Sequence, residues 1–113
     1  MEQGGIWLVL LNPTVGAEIQ KTRPAIIVNN NTLGRLPLKI IVPVTDWKDR
    51  YSIAPWMVRL VPDKQNQLTK ASSADCFQIR SLAEQRCIRR LGEVDRDIMN
   101  KIRRAMALVL DIE

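Results

Sequence analysis

Three polar side chains stand where short apolar runs begin or end. They are Glu18 within the polar stretch 14–22, Arg23 just before the Pro24–Val28 run, and Thr45 closing the run that starts at Leu38. An arginine near a hydroxyl suits phosphoryl chemistry, because a guanidinium offers several donors in one plane, in a geometry that phosphate accepts. Pro24 biases the residue before it toward extended backbone, so the direction of the Arg23 side chain is set by the chain. That suits a fixed anion clamp. The plainer reading of the same spacing is an ion pair in which Arg23 bridges Glu18 across its own loop, since surface ion pairs are common.

What is missing narrows the chemistry. The chain has no histidine, which removes Ser-His-Asp and Cys-His nucleophiles, imidazole-dependent zinc sites and the usual general base near neutral pH. Two cysteines, Cys76 and Cys87, are too few for a four-thiolate metal site or a disulfide-stapled scaffold, and both are expected as reduced core residues. Asp46 with Asp49, and Asp95 with Asp97, are the nearest carboxylate pairs, and neither sits in a metal-ligating pattern. No glycine-rich phosphate loop is present. Neither a metal nor a cofactor is expected.

The elements that position these groups are short. With 113 residues, 46% hydrophobic and 26% charged, the chain is one globular domain spanning 1–113. Ile6–Leu11 is an apolar run stopped by Asn12-Pro13, and reads as a buried strand followed by a loop through Thr22. Ala25–Val28 is a second strand ended by Asn29-Asn30-Asn31, and Leu38–Thr45 a third, in which Pro43 predicts an edge, a bulge or an ending. Met57–Val61, Ala74–Arg80 and Cys87–Gly92 complete a set of six strands joined by turns, which points to a small barrel or a strongly bent sheet. Asp95 is a good N-cap for a helix over 96–110 whose apolar stripe is Ile98, Ile102, Ala105, Met106 and Val109.

The net charge is +5, and residues 21–61 carry seven basic groups against two acidic ones. A basic surface there would gather polyanions, nucleic acid above all, although a charge of this size also serves solubility. The first five residues carry no basic segment and Ile6–Leu11 is far shorter than a membrane span, so a cytoplasmic location without membrane attachment is expected.

Gly5–Glu18 and Thr22–Val28 resemble the opening of the MazF/PemK toxin endoribonucleases of bacterial toxin–antitoxin systems. Further matches follow in order: Val42-Pro43-Val44-Thr45, Gln78-Ile79-Arg80-Ser81, and Arg90-Leu91-Gly92 before the terminal helix. The resemblance covers essentially the whole chain. It implies a mainly β fold with α, an SH3-like small β-barrel of six or seven strands with a C-terminal helix, acting as a homodimer. It also implies metal-independent cleavage of single-stranded mRNA, in which the ribose 2′-OH attacks the adjacent phosphorus and leaves a 2′,3′-cyclic phosphate and a 5′-OH. By position the catalytic residues fall on Arg23 and Thr45, with Glu18 matching the acidic residue of the first loop. RNA contacts are implied for Gly16, Ala17, Asn29, Asn30, Trp47 and Gln78. A cognate acidic antitoxin is the implied protein partner.

Such chemistry needs no imidazole, since phosphoryl transfer depends chiefly on positioning and on stabilising charge at the non-bridging oxygens. The group that removes the 2′-OH proton stays open between Glu18 and water, a guanidinium being a poor base. The chain departs from the family pattern at Gly5, Asn12, Ala17, Ile19 and Phe77, which bears on base preference. Trp47, Tyr51 and Trp56 offer either stacking surfaces or packing for a long loop. Two other readings compete: a gyrase-poisoning toxin of the same fold, which would end in Trp-Gly-Ile where this chain ends Leu110-Asp111-Ile112-Glu113, and a non-catalytic RNA-binding module.

Overall fold

The computed structural model describes all 113 residues. Seven strands and one helix follow in chain order: β1 Gly5–Leu10, β2 Thr22–Ile27, β3 Leu38–Asp46, β4 Met57–Leu60, β5 Ser72–Asp75, β6 Arg80–Ala83, β7 Cys87–Glu93 and α1 Arg96–Leu110. Hydrogen bonds run along the order β4-β5-β3-β2-β1-β7, with β6 pairing β3. The path does not close into a complete barrel. Its overall extents are nonetheless nearly equal, 36 × 33 × 33 Å, which a seven-stranded sheet reaches only by bending strongly on itself.

β3 is the hub. Its first half pairs β6, from Leu38↔Ala83 to Ile41↔Arg80, its second half pairs β5, from Val44↔Ala74 to Asp46↔Ser72, and β2 lies along its other side. Pro43 therefore lies inside a central strand, against the expectation of an edge, a bulge or an ending. It is tolerated because it falls in the gap between the β6 and β5 pairings, where no ladder donor is required.

Both faces of β2 and β3 are covered, which explains their consecutive branched residues. Ile26, Val42 and Val44 join Ile6, Val58 and Leu60 in a core closed by Met99, Ile102 and Ala105 of α1. Ala25, Ile27 and Ile41 join Val9, Leu11 and Leu82 in a second cluster on the opposite face. The helix begins where Asp95 Oδ1 accepts from the Ile98 N–H at 2.8 Å. It ends at Asp111, whose left-handed backbone (φ 57) lets Ile112 N–H reach Ala107 O at 2.8 Å.

Two expectations need correction. The single strand expected over 74–80 is two strands, β5 and β6, because Asp75 accepts from the Phe77 N–H at 3.1 Å and turns the chain through a 3₁₀ turn at Cys76–Gln78. Cys76 is a core residue, but Cys87, on a strand paired only to β1, is half-buried. Both thiols are free. No helix is long and apolar enough to cross a membrane.

Candidate active site

Arg23 and Thr45 belong to adjacent strands. The β2–β3 pairing ends at Ala25↔Pro43; Arg23 and Thr45 come two residues further along the two strands, and the alternation of side chains puts both on the face that does not pack on α1. Thr45↔Ser73 and Arg59↔Ser73 are paired, so Thr45, Ser73 and Arg59 lie side by side across β3, β5 and β4.

Arg23 is half-buried and makes no ion pair. The two ion pairs present are Lys70–Asp46 at 3.1 Å and Arg90–Glu93 at 3.4 Å. The bridge from Arg23 to Glu18 that the spacing allowed is not made. Glu18 Oε1 instead accepts from the Val15 N–H at 2.7 Å, while the Glu18 N–H donates to Val15 O at 3.2 Å, which curls the loop on itself. Gly16 makes that curl possible with φ +59, a conformation that side chains disfavour.

The loop is pinned at two levels. Arg80 Nη1 donates to Leu11 O at 3.2 Å, and Arg86 donates to Leu10 O at 3.4 Å and to Asn12 O, holding its base. Higher up, Gln78 Oε1 accepts from the Ile19 N–H at 2.6 Å, and Gln78 Nε2 donates to Ala17 O at 3.4 Å and to Asp75 Oδ2 at 3.2 Å. Burial pushes the Asp75 carboxyl above its ordinary pKa, outweighing the hydrogen bonds from Phe77 and Gln78. Under the loop runs a cleft of about 390 Å³ lined by Leu11, Glu18, Pro43, Phe77, Gln78 and Arg80. The Arg23–Thr45 pair lies one step past Pro43 along β3.

The structure joins Ala17 to Gln78 by a hydrogen bond and sets Glu18 and Gln78 on one cleft with Pro43, two residues before Thr45, but it gives Gln78 a different task from the one expected. Its amide is committed to the loop and to Asp75, which leaves it poorly placed to read a base. Asn29 and Asn30 are not brought in. They lie beyond the far end of β2, ~20 Å of strand from Arg23. There Asn29 Oδ1 accepts from the Ile40 N–H at 3.1 Å, and Asn30 Oδ1 accepts from the Thr32 N–H at 2.8 Å. Trp47 carries Arg59 at 5.0 Å from its ring centroid and meets Tyr51 edge-on at 5.9 Å, so much of its surface is already packed. Trp56 and Phe77 form a second edge-on pair at 5.9 Å, with Phe77 64% exposed beside the cleft.

Sequence reasoning missed Arg59, Ser73 and Asp75. Arg59 was within reach: it alternates with Val58 and Leu60, so it must face away from their core. Ser73 and Asp75 sat inside an expected strand with no local mark. No three His, Cys, Asp or Glu side chains gather anywhere, so the groups available at the site are guanidinium, hydroxyl, amide and single carboxylates.

A family model described as "PemK-like, MazF-like toxin of type II toxin-antitoxin system" matches residues 2–110. The chain is 32% identical over 116 aligned positions to endoribonuclease MazF9 of Mycobacterium tuberculosis, covering 99% of this chain and 98% of that protein. It is 34% identical over 112 positions to endoribonuclease PemK of Escherichia coli, covering 97% of this chain and 82% of that protein. Among solved structures, an endoribonuclease in complex with its cognate antitoxin from a mycobacterial species superposes with TM-score 0.78 at 24% identity, over 100% of this chain and 97% of that one. At that identity the superposition speaks for the fold.

Proposed function

Since the chain belongs to the family of PemK-like, MazF-like toxins of type II toxin–antitoxin systems, we propose that it is the toxin of such a system and an endoribonuclease that cuts single-stranded mRNA. The observation that carries this reading is the placement of Arg23 and Thr45: a half-buried arginine with no ion pair and a threonine, each two residues beyond the Ala25↔Pro43 pair on adjacent strands, on the face left free by the helix. An anion that reaches the pair meets donors already oriented.

In the proposed reaction the 2′ oxygen attacks the adjacent phosphorus and the bond to the 5′ oxygen breaks, leaving a 2′,3′-cyclic phosphate and a 5′-OH. The attacking hydroxyl gives its proton to the Glu18 carboxylate or to water, and the leaving oxygen takes one up. Arg23 stabilises the charge on the non-bridging oxygens, and the Thr45 hydroxyl donates to one of them or orients the nucleophile. Arg59, in the same row, supplies a second cation for a neighbouring phosphate. Since these groups hold the phosphate themselves, the reaction proceeds without a metal.

Two partners complete the reading. The mycobacterial relative is described in complex with its cognate antitoxin, and the basic excess over residues 21–61 gives an acidic antitoxin segment a complementary surface here. The active unit is a homodimer with RNA across its face. Incubation with a long RNA in EDTA tests the function. Discrete fragments with 2′,3′-cyclic phosphate and 5′-OH ends are expected, and RNA left intact both with and without magnesium overturns it.

A further inference from the structure

Hydrogen bonds from outside the β1–β2 loop to residues 14–20 come from one side chain, Gln78. Its orientation is dictated by its surroundings: Oε1 faces a donor, the Ile19 N–H, and Nε2 faces two acceptors, Ala17 O and Asp75 Oδ2. The loop residues it holds are the two neighbours of Glu18. Asp75 is in turn only 6% exposed, and its other oxygen is occupied by the Phe77 N–H. A buried carboxylate at the end of β5 thus fixes an amide, and the amide fixes the backbone on both sides of Glu18, 59 and 61 residues away in sequence.

We infer that Asp75 and Gln78 form a latch that positions the β1–β2 loop, and with it Glu18, over the cleft it shares with Pro43, for RNA cleavage. The inference rests on the nuclease reading and assigns two positioning residues to it; neither touches the reacting atoms. The local curl between Val15 and Glu18 shapes the loop tip but does not tie it to the sheet. Gln78 does.

The polarity of the latch gives a test by exchange of partners. Asp75→Asn turns an acceptor into a donor facing Gln78 Nε2; a Gln78 that flips to accept from it then points Nε2 at the Ile19 N–H. Gln78→Glu sets two carboxylates against each other. The double variant D75N/Q78E restores two of the three contacts: the introduced amide donates to the introduced carboxylate, whose second oxygen accepts from Ile19, while Ala17 O is left without its donor. Amide hydrogen exchange at Ile19 and single-turnover cleavage of an RNA oligonucleotide are measured, with the exchange of Met99 and Ile102 reporting on the integrity of the fold. A buried hydrogen-bonding group left without a partner corresponds to roughly 5- to 150-fold in an equilibrium. Each single variant is therefore expected to speed Ile19 exchange about tenfold or more and to lower kcat about tenfold while KM moves less than about threefold. The double variant is expected to recover part of both, the contact to Ala17 O remaining lost.

Unchanged Ile19 exchange in the single variants, or a double variant no nearer wild type than they are, overturns the latch. Faster Ile19 exchange with unaltered kcat overturns its positioning role. Wild-type protein that cuts no RNA overturns the nuclease reading itself, and the exchange data then still decide separately whether the latch exists.

Discussion

Replacing Arg23 by lysine separates catalysis from folding more cleanly than any other single change. In the folded chain the guanidinium has no ion pair, so its removal leaves no buried group without a partner. Lysine keeps the charge and most of the aliphatic stem that passes over the sheet beside Val9, the residue opposite Arg23 on β1. Stability should therefore change by no more than ~0.5 kcal/mol, a shift of at most ~3 °C in Tm for a domain of this size. The activity should behave differently. A phosphoryl group in the transition state takes two parallel donors from a guanidinium fork, and an ammonium ion offers only a point charge. Losing one preorganised donor costs ~2.7–4 kcal/mol, or ~10²–10³ in rate. Single-turnover cleavage of a fluorogenic RNA under saturating enzyme, alongside a thermal melt, measures both quantities. A rate within threefold of wild type would show that Arg23 serves packing and would refute the assignment, as would a fall in Tm large enough to account for lost activity.

Thr45→Val removes the hydroxyl at nearly constant shape and should slow cleavage ~10²-fold, while Thr45→Ser should keep the rate within about tenfold; equal rates for the two variants would exclude the hydroxyl. Burial raises the Asp75 pKa above 3.8, so this carboxyl contributes stability that is complete below the unfolded-state value and is lost as pH rises through the folded-state value. The unfolding free energy of wild type minus that of Asp75→Asn should accordingly fall as pH increases across that window, and a flat or rising difference would contradict it. Burial and the neighbouring Asp75 push the Cys76 thiol up to about 12, leaving a thiolate fraction of roughly 10⁻⁴ at pH 8. A disulfide reagent should then modify Cys76 only as the chain unfolds, a rate read by stopped-flow absorbance in the native protein and in denaturant.

The β framework was legible because its strands are apolar, branched and punctuated by Pro, Asn and Gly, and because α1 carries a clean stripe behind an aspartate cap. Pro43 misled, since whether a proline sits at an edge depends on where the neighbouring strands begin and end, and no local residue records that. The split of 74–80 into two strands turned on a single hydrogen bond from the Phe77 N–H to the Asp75 carboxylate, which competes with the extended backbone in a way that composition does not register. Arg23 and Thr45 could be picked out individually, one from the proline beside it and one from its place at a strand end, while their placement on one face of adjacent strands followed only from the β2–β3 register. Gln78 shows the converse. Its place in a motif was visible, but two of its partners, Ala17 and Ile19, lie about sixty residues away in the first loop, and only the assembled sheet brings that loop to the Asp75–Gln78 turn.

In the proposed reaction Arg23 and Thr45 promote attack by the substrate's own 2′-OH. A short RNA containing one cleavage site, compared with the same oligonucleotide carrying a single 2′-deoxy nucleotide on the 5′ side of the scissile phosphate, tests it directly. The all-RNA strand is expected to be cut to 2′,3′-cyclic phosphate and 5′-OH ends, and the deoxy strand to be bound with similar affinity and left whole; cleavage of the deoxy strand at the same position would rule out attack by the 2′-OH.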